Sequence, residues 1–338
     1  MTRVVGCVRR RPQLSSAPAP LLVVSAVVSV QIGAALAKHV ISDVGPAATT
    51  SLRLLFAALV LGALYRPRFR RVELPLLAFF GLTLAAMNLL FYEALARAPL
   101  GVVVTVEFLG PLGVAVVGSR RVRDVAVVAL AALGVVLLAR GGGSVSLLGL
   151  LLAALAGACW ACYILTSAAV GRRHPGTAPL GVAMAIGALI AAPIGLPDVS
   201  GAKASSWLLA AAVGMLSGVL PYAFELEALR RLPARIFGVL MSMEPAVAAL
   251  AGLAILGETL TARQWGGVAS VIAACVAVTL GQRQPGTPSS APDFTAPSPK
   301  SGLRTRELTG LDRRHDFAAP FLAAARAIGR PRDRERMQ

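Results

Sequence analysis

The sequence predicts an all-α integral membrane protein of ten transmembrane helices, built as two inverted five-helix repeats. Three observations lead there. Of 338 residues, 56% are hydrophobic and 14% charged, against about 45–50% and about 25% in soluble domains, and the apolar residues come in long runs almost free of charge. Basic residues concentrate in alternate gaps between those runs. A stretch of the first half recurs, ungapped, in the second. This composition excludes a soluble enzyme, a disordered scaffold and a coiled coil.

A helix rises 1.5 Å per residue, so about 20 apolar residues cross a hydrocarbon core roughly 30 Å thick. Ten segments meet that length, over approximately 21–40, 47–65, 74–95, 99–118, 123–139, 147–168, 178–196, 206–226, 235–256 and 264–281. Arg3, Arg9, Arg10 and Arg11 precede the first. Arg66, Arg68, Arg70 and Arg71 follow the second; Arg120, Arg121 and Arg123 the fourth; Arg172 and Arg173 the sixth; Arg230, Arg231 and Arg235 the eighth. The alternate gaps hold Lys38, Arg97, Arg140, Lys203 and Arg263. Sixteen basic residues against five put both termini in the cytoplasm by the positive-inside rule. An even number of spans requires the same.

The basic start and the first apolar run resemble a secretory signal, but the run continues to about residue 40 with Lys38 beside its small residues, so an uncleaved span is expected. The chain then divides into a basic cytoplasmic N-terminus (1–20), a first five-helix unit (21–140), a second (147–281) and a disordered Pro/Ser-rich cytoplasmic tail (282–338).

A net charge of +17 would raise nucleic-acid binding in a soluble protein; here the Arg residues lie in short loops facing anionic lipid, and no nucleic-acid partner is expected. Cys159 and Cys162 have redox spacing but sit inside an apolar run, where core packing is the better reading. His39, His174 and His315 are scattered over loops and tail and imply no metal site. A membrane-embedded enzyme would need a nucleophile and base, or metal ligands, at one depth; no His lies mid-span and no such motif is present.

The recurring stretch is Glu93-Ala94-Leu95-Ala96-Arg97-Ala98-Pro99, which aligns with Glu227-Ala228-Leu229-Arg230-Arg231-Leu232-Pro233 at an offset of 134 residues. The same offset puts Pro111 on Pro245. Five spans per half is an odd number, so the second half enters the membrane from the opposite side. Inverted repeats of this kind mark secondary transporters, whose substrate sites lie near the midplane between the halves.

Intramembrane charge points to the site, because each buried charge costs at least about 2.5–3.5 kcal/mol on insertion scales. Glu107 and Glu244 fall near mid-bilayer, and Arg53 lies in the second span. An Arg–Glu pair locking two helices, or Arg53 reaching to the surface, is the competing structural role. Pro111 lacks the N–H that would bond the carbonyl of Glu107, and Pro245 likewise frees that of Met241. Each half thus offers a broken helix with a free backbone oxygen and a carboxylate beside it, suited to an ammonium group or an exchangeable proton. Gln31, Asn88 and Tyr222 could complete a polar cavity, together with Ser25, Ser29, Tyr163 and Ser242. Glu225 and Glu227 are expected at a helix end, within reach of Arg231 or Arg235.

Several runs together resemble one family: Gln31-Ile32-Gly33-Ala34-Ala35-Leu36-Ala37-Lys38, Met87-Asn88, Phe91-Tyr92, Glu107-Phe108-Leu109-Gly110-Pro111 and Gly157-Ala158-Cys159-Trp160-Ala161. Leu220-Pro221-Tyr222, Arg231-Leu232-Pro233, Met241-Ser242-Met243-Glu244-Pro245 and Gly257-Glu258-Thr259-Leu260-Thr261 extend the likeness through the second half. Over about residues 20–281 the chain is similar to bacterial inner-membrane threonine/homoserine exporters of the drug/metabolite transporter superfamily, built from two EamA-type repeats. The resemblance implies ten helices, export of small hydrophilic amino acids and coupling to the proton gradient, with Glu107, Pro111, Glu244 and Pro245 at matching positions. No cofactor is implied beyond that gradient. The expected partners are a small amino acid and the bilayer, with a homodimer admitted. Another cargo (a purine, a sulfur-containing amino acid or a drug) is the rival within the same superfamily.

Overall fold

The structure is a computed structural model, described for residues 17–64, 74–117, 123–140, 145–171, 178–200, 202–229 and 231–281. The N-terminal Arg cluster, the Arg residues at 66–71, 120–121, 172–173 and 230, and the tail from 282 lie outside the described residues. Twelve α-helices are described: α1 (Ala19–Leu64), α2 (Leu74–Leu95), α3 (Leu100–Glu107), α4 (Leu109–Val117), α5 (Arg123–Ala139) and α6 (Leu147–Gly171), then α7 (Ala178–Gly195), α8 (Ala204–Val213), α9 (Leu220–Leu229), α10 (Ala234–Met241), α11 (Glu244–Leu256) and α12 (Ala262–Gly281). A π-helical turn at Gly214–Val219 joins α8 to α9. Among the described residues no strand occurs. Eight helical segments are long and apolar enough to cross a membrane, and α5 contributes a shorter apolar one.

A straight helix of the 46 residues of α1 would run about 69 Å, twice the hydrocarbon thickness. It does not run straight. Gly45 takes φ 81°, ψ 167°, left-handed backbone that glycine adopts without penalty, and Pro46 supplies no N–H to continue the ladder. The hydroxyls of Thr49, Thr50 and Ser51 donate back to the carbonyls of Gly45, Pro46 and Ala47 and consolidate the first turn of the second limb. Ser51 also donates to Ala191 of α7 at 2.8 Å. The first limb runs past residue 40, so Lys38, expected in a gap, stands inside a helix.

α1 lies along α7, α8 and α9; α2 packs on α6 and α7; α3 sits against α6 and α11; and α5 pairs with α12. In lipid, helices gain little from hiding Leu from its surroundings, so close backbone approach matters more. It occurs through small residues: a Cβ on Gly101 would stand 2.7 Å from the Cα of Ala249, and one on Gly267 2.8 Å from the Gly134 carbonyl.

The two short helices α3 and α10 have equal length, eight residues each. Pro99 caps one and Pro233 the other, and Pro suits a helix start because its missing N–H is not needed there. Each ends in the same shallow kink, at Phe108 (φ −62°, ψ −12°) and at Ser242 (φ −66°, ψ −9°). The Glu93–Arg97 pair precedes the first and the Glu227–Arg231 pair the second, both as one-turn ion pairs. All these positions keep the 134-residue offset read from the sequence.

Candidate functional site

The kink after α3 is where α6 comes closest. Pro111 leaves the Glu107 carbonyl without its helical N–H, and the backbone of Gly157 passes directly over it. A Cβ on Gly157 would sit 2.6 Å from that oxygen, and one on Gly110 would fall on the Gly157 carbonyl. These obstacles are backbone atoms, which cannot swing aside. Gly157→Ala is therefore expected to lower the thermal midpoint in detergent, by the equivalent of about 1–3 kcal/mol for overpacking. Gly113→Ala, in open space two residues beyond Pro111, should hold or raise it, since Gly costs about 0.5–1 kcal/mol against Ala in a helix. Equal midpoints would mean the crossing is not tight.

The other kink presents Glu244 in the first turn of α11, only 7% exposed. Its Oε1 accepts from the amide of Gln31, in the first limb of α1, at 3.0 Å. Gln31 is 1% exposed. Neither the Gln31 carbonyl oxygen nor Glu244 Oε2 has a hydrogen-bond partner. Glu107 is likewise buried, with no hydrogen bond to its carboxyl among the described residues, and lies within electrostatic reach of Glu244.

Arg53 projects from the second limb of α1 and is 8% exposed. It bonds the side-chain oxygen of Asn88 in α2 and, at 2.9 Å, the backbone oxygen of Ser217. Asn88 is held in turn by donating to Leu84 at 2.8 Å. The Ser217 oxygen is available for a local reason. Residue 221 is proline, so neither the α-helical bond to Ser217 nor the π-helical bond to Leu216 can form. Two donors from α1 take these carbonyls, Arg53 at Ser217 and Ser29 at Leu216, the latter at 2.7 Å. The Nε of Arg53 stays unpaired. Arg53 lies within electrostatic reach of Glu107, Tyr92, Tyr163 and Tyr222, and Glu244 within reach of Tyr222 and Glu225.

Six residues expected from the sequence thus join one group: Gln31 with Glu244, Arg53 with Asn88, and Glu107 and Tyr222 within electrostatic reach of Arg53 and Glu244. Ser242 instead donates to the Val239 carbonyl of α10. Arg53 makes no direct ion pair among the described residues, so it does not lock two helices through a carboxylate. Glu227 meets Arg231 as expected, and Arg231 also donates to the Ala17 carbonyl at 3.3 Å; the side chain of Arg235 lies outside the described residues. Glu225, half-buried, belongs with Glu244 rather than at a plain helix end.

Sequence reasoning missed two features. One is Gly157 at the break. The other is a polar tie far from the kinks: Lys38 bonds the Glu258 carboxylate and the Ala98 carbonyl, while the second oxygen of Glu258 accepts the Leu100 N–H at 2.7 Å. Glu258 thereby caps α3 from the loop after α11, which turns at the left-handed Gly257. Its signal was the run Gly257-Glu258, a glycine that ends a helix followed by an acid free to cap another. Among the described residues no cluster of His, Cys, Asp and Glu could hold a metal.

Known proteins resemble this chain. Residues 147–280 match the EamA-like transporter family. The chain is 46% identical over 269 residues to the Threonine/homoserine exporter RhtA of Salmonella typhimurium, covering 77% of this chain and 90% of the exporter. The protein of the same name from Escherichia coli K12 is 44% identical over 274 residues, covering 78% and 92%. One solved crystal structure superposes with a TM-score of 0.51 at 20% identity, over 78% of this chain and 96% of its own, a likeness of fold. With nine-tenths of such exporters covered at this identity, the chain belongs to the EamA-like transporter family, and it is a transporter and not an enzyme.

Proposed function

We propose that the protein exports small hydrophilic amino acids of the threonine and homoserine kind across a bacterial inner membrane, in exchange for protons. The carrying observation is the set of unpaired buried atoms: a donor at Arg53 Nε, and acceptors at Gln31 Oε1 and Glu244 Oε2. Buried polar atoms are rarely left unpaired. An amino-acid zwitterion supplies what they lack, its carboxylate to Arg53 and its ammonium to Gln31 and Glu244. Glu107 stands near both ends and, with Glu244, gives the site carboxylates that a proton can neutralise when the cargo leaves. The names of the relatives supply the cargo class.

Ten spans fit this reading. The eight apolar candidates include α1, whose limbs on either side of Gly45 are each long enough to count, and α5 completes the set. The equal lengths and matching kinks of α3 and α10 support two five-helix units of opposite orientation, 21–140 and 147–281. Loop charge favours both termini in the cytoplasm and the Lys38–Glu258 tie on the outer side, where it joins the first limb of α1 to the start of α3 and the loop after α11.

The test uses purified protein in liposomes under an imposed pH gradient, with labelled threonine and homoserine. Movement of both amino acids, accelerated by the gradient and collapsing with a protonophore, is the expected result. Flux indifferent to the gradient would remove the proton from the scheme, and no flux from folded protein would remove the cargo.

A further inference from the structure

We infer that the paired hydroxyls of Tyr163 and Tyr222 read the side-chain hydroxyl of the cargo, and so set selectivity for hydroxylated amino acids. This rests on the export reading above. Tyr163 stands on α6 and Tyr222 on α9, and their phenolic oxygens are 3.5 Å apart. That is long for a hydroxyl–hydroxyl bond, which normally closes to about 2.7–2.8 Å. Neither hydroxyl has another hydrogen-bond partner among the described residues.

The rings are held by other means. Tyr163 stacks on Phe80 with centroids 5.1 Å apart and planes 25° from parallel, and both tyrosines pack on the apolar cluster that includes Phe80, Leu54 and Val219. The apolar contacts fix the gap, and the hydroxyls are too far apart to satisfy each other well. Both also lie within electrostatic reach of Arg53 and Glu225, and Tyr222 of Glu244. They therefore face the polar group that would hold the cargo's backbone, not the lipid.

A third hydroxyl about 2.8 Å from each oxygen closes the triangle, donating to one phenol and accepting from the other. A methyl group can do neither and leaves both phenols desolvated. Threonine carries its hydroxyl on Cβ and homoserine one carbon further out. Two rotatable phenols allow either position to find a partner. The chemistry also names the control, because 2-aminobutyrate is the deoxy counterpart of both amino acids.

The experiment measures kcat/KM for export of threonine, homoserine and 2-aminobutyrate in liposomes, for the wild type and for Tyr163→Phe, Tyr222→Phe and the double variant. With each neutral hydrogen bond worth about a fivefold factor, the wild type should prefer the two hydroxylated substrates by about 25-fold. Each single variant should cut that ratio about fivefold, and the double variant should bring it near one. A merely structural pair would slow all three cargoes alike and preserve the ratio, which overturns the assignment. Should a variant fail to accumulate, the wild type carries the test. Export of 2-aminobutyrate at threonine's rate overturns the assignment, and its rejection together with that of valine, threonine's isostere, upholds it. A wild type that moves none of the three sinks the export reading itself, whereas one that moves all three alike sinks the hydroxyl assignment alone.

Discussion

Glu244→Gln is expected to abolish gradient-driven threonine export while the protein stays in the membrane at its usual level. The substitution keeps volume and shape. The new amide oxygen still accepts from Gln31 across the 3.0 Å contact, and the new NH2 adds a donor next to a residue whose own side-chain oxygen has none. Two side-chain amides can bond reciprocally, so the fold loses nothing. What disappears is the negative charge and the site for a proton. A hydrogen bond to a charged group contributes about 1.5–3 kcal/mol, so loss of the ammonium contact alone should weaken transport about 10- to 100-fold, before the loss of coupling is counted. Glu107→Gln should likewise lose acceleration by the pH gradient, since it removes the carboxylate between Arg53 and Glu244. Wild-type rates in both variants, at matched protein levels, would sink the carboxylate mechanism.

Arg53→Met should be as damaging to export, at a modest cost to the fold. The variant gives up the bonds to Asn88 and to the Ser217 carbonyl, each worth about 1.5–3 kcal/mol because the donor is charged. It also removes an intramembrane charge whose insertion costs about 2.5–3.5 kcal/mol. The two effects largely cancel, and the net loss should stay within about 3 kcal/mol, small enough for the protein to accumulate. Export has no such compensation, because no other side chain in the group offers a positive charge to a carboxylate. Arg53→Lys should recover only part of the activity. A lysine also has three N–H donors, but they diverge from one nitrogen instead of spreading over a planar fork, so it should not reach Asn88, Ser217 and the cargo carboxylate at once. The discriminating measurements are thermal stability in detergent and threonine flux on the same preparations. Normal flux with a lowered midpoint would make Arg53 a structural residue.

The eight long apolar helices were legible because bilayer thickness imposes their length on the sequence, and the kinks because a proline at residue 111 or 245 deletes a specific backbone bond. The boundary between the first two spans was misread. Asp43 and its neighbours look like a loop, yet the helix continues to Gly45: Ser42 donates to the His39 carbonyl at 2.7 Å, and Asp43 accepts from Ser206 of α8 at 2.9 Å. A polar residue kept in a helix by a partner 163 positions away leaves no local trace. The buried charged residues could be named from their cost in lipid, but not their pairing. Pro221 does announce a free carbonyl at Ser217, four residues earlier. That Arg53 fills it depends on a π turn and a helix contact that no local pattern encodes. Gly157 read as one small residue among many, and only the crossing shows which carbonyl it must clear.

Several ties around the candidate site run from the first half of the chain to the second, and the ribosome makes those halves in sequence. When α3 emerges, the carboxylate that caps its first N–H is still some 158 residues from being translated. Gln31 waits for Glu244 and Arg53 for the Ser217 carbonyl. Until then the first half carries an arginine with Asn88 as its one side-chain partner, and an open helix end. Nascent chains that stall in the second half should consequently be handed to membrane quality control, and the two halves made as separate polypeptides should persist only when produced together.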